Sequence, residues 1–249
     1  MNECIIFNLF NDGVIDLAHN HLQSLKNNNI TNYISFTTGI NSYNKLKDEF
    51  NVEYININDK NSTYLDFGSN KFCEFSYARY KIMLNLLKKY KYVWYLDVDT
   101  VVLGNIFNYI NFSQQWDICC QDDLIMPCTG CMLVNNTQAS IDTINKILSN
   151  RTKEINDQVL LKKLLITKEV SVKIISLSKY LFIPGGLFFD MKYITDKSQV
   201  LKNYRLNYIN TIIKNNTSPG VFVHANYIMG NKNKIDALKS RKLWFIKNV

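Results

Sequence analysis

The run Tyr92-Val93-Trp94-Tyr95-Leu96 constrains this chain more than any other segment. Five consecutive apolar residues, without alternation, describe a strand covered on both faces, as in the middle of a parallel sheet. A helical segment leads into it. Over Phe75 to Tyr90, Ala78, Ile82, Leu86, Met83 and Leu87 make an apolar face, with Lys81, Lys88 and Lys89 outside it. A helix feeding a buried strand is half of a right-handed crossover unit. The alternation begins at the first residues. Strands are expected at Cys4 to Leu9, Tyr33 to Phe36 and Val52 to Ile57, and helices at Val14 to Leu25 and Tyr43 to Phe50. Asn11-Asp12-Gly13 marks the first turn.

Residues 58 to 72 read as polar and irregular. Beyond the buried strand, short strands are expected at Val101 to Leu103, Ile118 to Cys120, Gly130 to Val134, Ile174-Ile175 and Leu181 to Ile183. Helices are expected at Ala139 to Leu148 and Gln158 to Leu165. Pro184-Gly185-Gly186 reads as a turn. Val221 to Val223 reads as a last strand ending at His224, and Lys234 to Leu243 as a closing helix. With no repeat and no linker, the 249 residues predict one α/β domain with a mixed, mostly parallel central sheet flanked by helices.

A hydrophobic fraction of 47% with 20% charged residues excludes a disordered chain, and three prolines exclude a collagen-like one. The net charge of +8 suits an anionic ligand. The lysines are dispersed and no nucleic-acid-binding motif is present, so nucleic acid is not the expected partner. No apolar stretch approaches the roughly 20 residues of a membrane span, and the N-terminus has no signal-peptide pattern, so a soluble, cytoplasmic protein or domain is expected. Cys4, Cys73, Cys119, Cys120, Cys128 and Cys131 match no common zinc module and read as reduced thiols.

Asp97 and Asp99 follow the apolar run directly. Ligands of open α/β sheets bind outside the carboxyl ends of the strands. Two carboxylates one residue apart can share a hard divalent cation, Mg²⁺ or Mn²⁺, which takes oxygen ligands together with substrate phosphates. The same segment, Asp97-Val98-Asp99-Thr100-Val101, also fits the nucleophile motif of a HAD-type phosphatase. That motif belongs to a first strand, whereas about three α/β units precede this one. A non-catalytic nucleotide-sugar binder is a third reading.

Tyr95-Leu96-Asp97-Val98-Asp99-Thr100-Val101-Val102 resembles the DxD motif of GT-A glycosyltransferases. These are the nucleotide-diphospho-sugar transferases, a group that includes plant extensin arabinosyltransferases and xylosyltransferases. The likeness spans most of the chain through loose pieces. Asn11-Asp12-Gly13 to Leu25 resembles the family's first nucleotide-binding turn and helix. Gln121-Asp122-Asp123 with Thr129 to Val134 resembles its acidic loop and small-residue strand. Asp157-Gln158 is similar to a recurrent Asp-Gln pair, and Lys81 to a recurrent basic residue. His224-Ala225-Asn226-Tyr227-Ile228-Met229-Gly230 with Lys234 resembles its C-terminal motif.

The resemblance implies a single GT-A, Rossmann-like fold, with a nucleotide-binding half over 1–103 and an acceptor-binding half over 104–249. It implies a Mn²⁺ or Mg²⁺ site of Asp97, Asp99 and His224, with Gly230 and Lys234 receiving the diphosphate. The donor, a UDP-sugar by resemblance, is expected over Phe7, Asn8, Asn11, Thr37, Arg79, Lys81, Asp97 and Val98. Arg79 and Lys81 lie two apart on their helix and need not share a face. Transfer to a glycan acceptor with retention of configuration is expected, with Asp157 and Gln158 beside the donor sugar. Asp122, Asp123 and Asp157 are the candidates for a nucleophile. His19 and His21 are expected to be ordinary helix side chains.

Overall fold

Two apolar runs, Cys4–Phe10 (β1) and Tyr92–Leu96 (β4), lie side by side as parallel strands, with Cys4 opposite Tyr92 and Phe7 opposite Tyr95. Every residue of both strands is buried. The computed structural model of the protein describes residues 3–56, 63–124, 126–215 and 220–246. Strands Tyr33–Thr37 (β2) and Val52–Tyr54 (β3) extend the sheet in parallel on one side of β1. Pro127–Asn135 (β7) runs antiparallel to β4 on the other side. Ile118–Asp122 (β6) is antiparallel to β7, and Ile174–Leu177 (β8) closes the sheet parallel to β6. The order is β3-β2-β1-β4-β7-β6-β8, the mixed and mostly parallel sheet that the sequence predicts.

Successive side chains of β1 and β4 enter opposite cores, as the two-residue period of a strand requires. Ile6, Phe10, Trp94 and Leu96 pack with Leu17, Leu22 and Leu25 of helix Ile15–Asn27 (α1). Ile5, Phe7, Val93 and Tyr95 pack with Tyr80 and Met83 of helix Asn70–Leu87 (α3). Ile144 of Gln138–Ser149 (α4) and Leu161 of Asp157–Ile166 (α5) join the second core. The result is a three-layer sandwich with the carboxyl ends of β1 and β4 on one edge.

A second, three-stranded sheet was not foreseen from the sequence. Thr100–Val102 (β5) pairs antiparallel with Phe222–His224 (β10), which pairs in parallel with Phe182–Pro184 (β9). The register sets His224 opposite Thr100. A chain segment more than a hundred residues downstream is thereby laid against the residue that follows Asp99.

Several local expectations are corrected. Helix α2 spans Ile40–Leu46 in place of the expected Tyr43 to Phe50. The Asp12 carboxylate accepts hydrogen bonds from the Ser42 backbone N–H and hydroxyl at 2.7 Å each, so a distant side chain supplies the helix start. Helix α3 begins at Asn70, five residues early, because Ser69 caps it through the Phe72 N–H. The expected irregular stretch is therefore partly helical. Ile57, the expected end of β3, and residues 58–62 lie outside the described residues. The Pro184-Gly185-Gly186 turn opens a one-turn helix, Gly185–Phe188 (α6). Helix Gln199–Asn215 (α7) was not expected, and the closing helix (α8) spans Asn231–Ser240. All six cysteines are free and buried. Among the described residues no helix is long and apolar enough to cross a membrane.

Candidate active site

Where β4 ends, the chain turns outward and Asp97 and Asp99 leave the sheet. The Asp97 N–H donates to Gly130 O at 2.7 Å and the Thr100 hydroxyl donates to Asp97 O at 2.7 Å, which pins the backbone of the turn. On the far side, the Ala225 N–H donates to Asp99 O at 2.9 Å as part of the β5–β10 pairing. Three side chains converge as a result. His224 Nε2 lies 3.2 Å from Asp99 Oδ1 and 3.7 Å from Asp97 Oδ2. One ligand atom from each of Asp97, Asp99 and His224 falls within 4.8 Å of the other two.

Two carboxylate oxygens and one imidazole nitrogen are a fitting set for a hard or borderline divalent cation. The ring is held for that role. His224 Nδ1 sits 2.9 Å from Gln121 Oε1, and Gln121 Nε2 donates to Phe182 O at 3.2 Å. With Nδ1–H directed at Gln121, Nε2 is the ring nitrogen turned to the carboxylates, where a cation would take its lone pair. Gly130 provides the room, since a Cβ there would collide with Asp97 Oδ2 and His224 Cε1. Tyr95 holds Asp97 from below, its hydroxyl donating to Oδ1 at 2.6 Å.

The charges are tightly interdependent. Lys234 Nζ lies 2.5 Å from Asp99 Oδ2. Burial raises the Asp99 pKa, but Lys234 and His224 outweigh it and hold the carboxyl well below the usual range. Burial lowers the pKa values of His224 and Lys234, and the Asp99 charge outweighs it, so both stand above their ordinary values.

These groups line a cavity of about 490 Å³ at the carboxyl edge of the sheet. Of the expected site residues, it takes in Asn11, Arg79, Asp97, Val98, Asp99, Asp123, Asp157, Gln158, His224 and Lys234. Phe7, Asn8, Thr37, Lys81, Asp122 and Gly230 are outside its lining. Phe7 and Asn8 sit within β1 and are fully buried, and Phe7 packs on Phe36 and Tyr95. The Thr37 hydroxyl accepts from the Gly39 N–H. Lys81 is exposed while Arg79 is buried, so the two residues do face different ways. Asp122 accepts from the Leu124 N–H at 2.9 Å, a turn contact. Gly230, at φ +85°, starts α8, between the lining residues Met229 and Lys234.

The other acidic residues have defined tasks. Asp157 is buried at the start of α5, paired with the Arg79 guanidinium and accepting from the Tyr80 hydroxyl at 2.7 Å. Arg79 donates to Thr129 Oγ1 at 2.9 Å and lies over the Tyr95 ring. Asp123 accepts from Gln158 Nε2 and Asn226 Nδ2, each at 2.8 Å, and burial raises its pKa. Gln158, Asp123 and Asn226 thus form one chain of hydrogen bonds across the cavity floor. The cavity also has an apolar wall of Leu65, Phe67, Phe72 and Phe75, which sequence reasoning passed over. The signal was present as aromatics spaced through a polar stretch. Gln121 and Gly130 were noticed only as parts of a motif.

A family model described as nucleotide-diphospho-sugar transferase matches residues 28–238. The match is to the family as a whole and does not single out the extensin group. No curated protein matches the chain. Among solved structures, the fold is similar to that of a glycosyltransferase involved in glycosylation of the major capsid of PBCV-1. That pair has 12% identity and a TM-score of 0.54, covering 95% of this chain and 99% of that one. It is also similar to the galactosyltransferase LgtC, solved with donor and acceptor sugar analogues, at 13% identity and TM-score 0.56, covering 95% of each chain. A third is the glycosyltransferase GlyE of Streptococcus pneumoniae TIGR4, at 12% identity and TM-score 0.55, covering all of this chain and 66% of that one. At these identities the likeness concerns the fold.

Proposed function

The chain belongs to the nucleotide-diphospho-sugar transferase family, and from that premise we propose a metal-dependent glycosyltransferase that moves a sugar from a UDP-sugar to a glycan acceptor with retention of configuration. The observation that carries this reading is the convergence of Asp97, Asp99, His224 and Lys234 in one cavity. The family match favours it over the phosphatase reading of the Asp97-Val98-Asp99 segment.

Asp97, Asp99 and His224 would hold a Mn²⁺ or Mg²⁺ ion, which when bound would neutralise negative charge on a leaving diphosphate. Lys234, at the first turn of α8, adds a second positive charge next to the same oxygens. Arg79 and Asp157 hold each other, so Arg79 can present a rigid guanidinium beside Asp97. On this reading Gln158, a lining residue held by Asp123, lies beside the donor sugar. Both oxygens of Asp123 are engaged, and Asp157 is occupied by Arg79 and Tyr80. That arrangement supports front-face displacement without a dedicated protein nucleophile. Stabilisation is then placed where charge develops on the leaving group.

The test is a screen of nucleotide-sugars by thermal shift with and without Mn²⁺, followed by turnover of the best donor. Asp99→Asn is expected to lower transfer or donor hydrolysis by at least about 100-fold. Turnover within a few-fold of the unaltered protein would remove Asp99 from the reaction.

A further inference from the structure

The charge of the chain is unevenly placed. Residues 197–249 carry ten of the 29 lysines and arginines and one of the 21 acidic residues, Asp236. That stretch is therefore at +9, and the remaining 196 residues, with nineteen basic and twenty acidic side chains, are at −1. An asymmetry of this kind points to an anionic surface as partner.

The same stretch holds an unpartnered apolar face. On α7, Tyr204, Tyr208 and Ile212 turn toward the core. Leu206, Ile209 and Ile213 lie on the flank at helical spacing and are 60%, 43% and 73% exposed. Lys202 falls on that flank too and is exposed. The flank borders a groove of about 340 Å³ between α7 and α6, lined by Phe188, by Arg205, which donates to the Gly186 and Phe189 carbonyls, and by Arg241, which pairs with Asp190. Apolar side chains within a basic face are the composition of an interfacial membrane contact.

We infer that this face docks the protein on a bilayer surface carrying anionic lipids, with Leu206, Ile209 and Ile213 entering the headgroup boundary and the exposed Lys202 and Lys214 of the same helix meeting the lipid charge. Nucleic acid would satisfy the charge but not three aliphatic side chains. A second copy would satisfy the apolar face but bring two strongly basic surfaces together. Among the described residues no helix is long and apolar enough to cross the bilayer, and the docking contact is with its surface. Helix α8 connects the two regions, with Lys234 in the cavity and Arg241, just past its end, in the groove. The seven residues from Lys234 to Arg241 put cavity and groove about 10 Å apart along the helix.

The test is flotation of the full chain with phosphatidylcholine vesicles, with and without phosphatidylglycerol, beside the variant Leu206→Ser/Ile209→Ser/Ile213→Ser. The unaltered protein should float only with the anionic vesicles and be released by high salt. The variant should lose at least about tenfold in bound fraction while keeping its thermal midpoint and its turnover of the nucleotide-sugar. Failure to float with anionic vesicles, equal flotation of the variant, or a dimer that the variant splits would each overturn the inference. Turnover is read separately, so this outcome is independent of the proposed reaction.

Discussion

Gln121 sets the His224 ring without reaching the carboxylates itself. It is fully buried, and its two hydrogen bonds tie the imidazole to β9. Gln121→Leu should therefore weaken Mn²⁺ binding by about 10–100-fold in a calorimetric titration, with the circular dichroism spectrum retained; unchanged affinity would refute the positioning role. His21 has a different role. It is buried on α1, and its Nδ1 lies 3.1 Å from Thr100 O and 3.0 Å from Thr100 Oγ1, behind the metal-site turn. Burial lowers its pKa from 6.5 to about 4. A folded-state pKa below the unfolded one gives stability that is fully present above about pH 6.5 and is lost as the pH falls toward 4. The loss should be about 2 kcal/mol by pH 5 and about 3 kcal/mol by pH 4. Denaturant unfolding at neutral and acid pH checks this, with His21→Gln expected to flatten that part of the profile. At this scale the sequence disclosed Asp97, Asp99 and His224, because a paired carboxylate after a buried strand and a histidine ending another strand have local signatures. Gln121, Gly130 and Tyr95 have none, since their importance lies in contacts with residues far along the chain.

Among the elements, α5 most directly ties stability to the site. Asn156 caps it through the Val159 N–H at 2.9 Å, and the first two helical residues are Asp157 and Gln158. Asn156→Ala should cost about 1 kcal/mol of stability in denaturant unfolding, with donor turnover lowered as the Arg79–Asp157 pair loosens. A neutral result in both would show that packing of Leu160, Leu161 and Leu164 alone positions the helix. Elements with a strong apolar period were legible from the sequence, above all β4, whose bounds agree. α2 was misplaced because Asp12, from another loop, caps it. α7 was missed because its exposed Leu206, Ile209 and Ile213 blur the division into an apolar and a polar face.

For the molecule as a whole, the decisive fact is that the carboxyl edge of the large sheet and the small sheet meet at one turn. β5 belongs to the small sheet and follows β4 of the large one after three residues, so Asp97 and Asp99 span the junction. The pairing of β5 with β10 then fixes His224 and, through the start of α8, Lys234. The sequence suggested that these residues act together only through a family resemblance, because no local pattern encodes a strand pairing across so long a separation. The most direct test is calorimetric titration of Mn²⁺ into the protein with and without UDP, repeated on His224→Ala. The account predicts that UDP tightens Mn²⁺ binding at least about tenfold and that His224→Ala abolishes the coupling. Equal Mn²⁺ affinity with and without UDP, or coupling that survives the loss of His224, would contradict it.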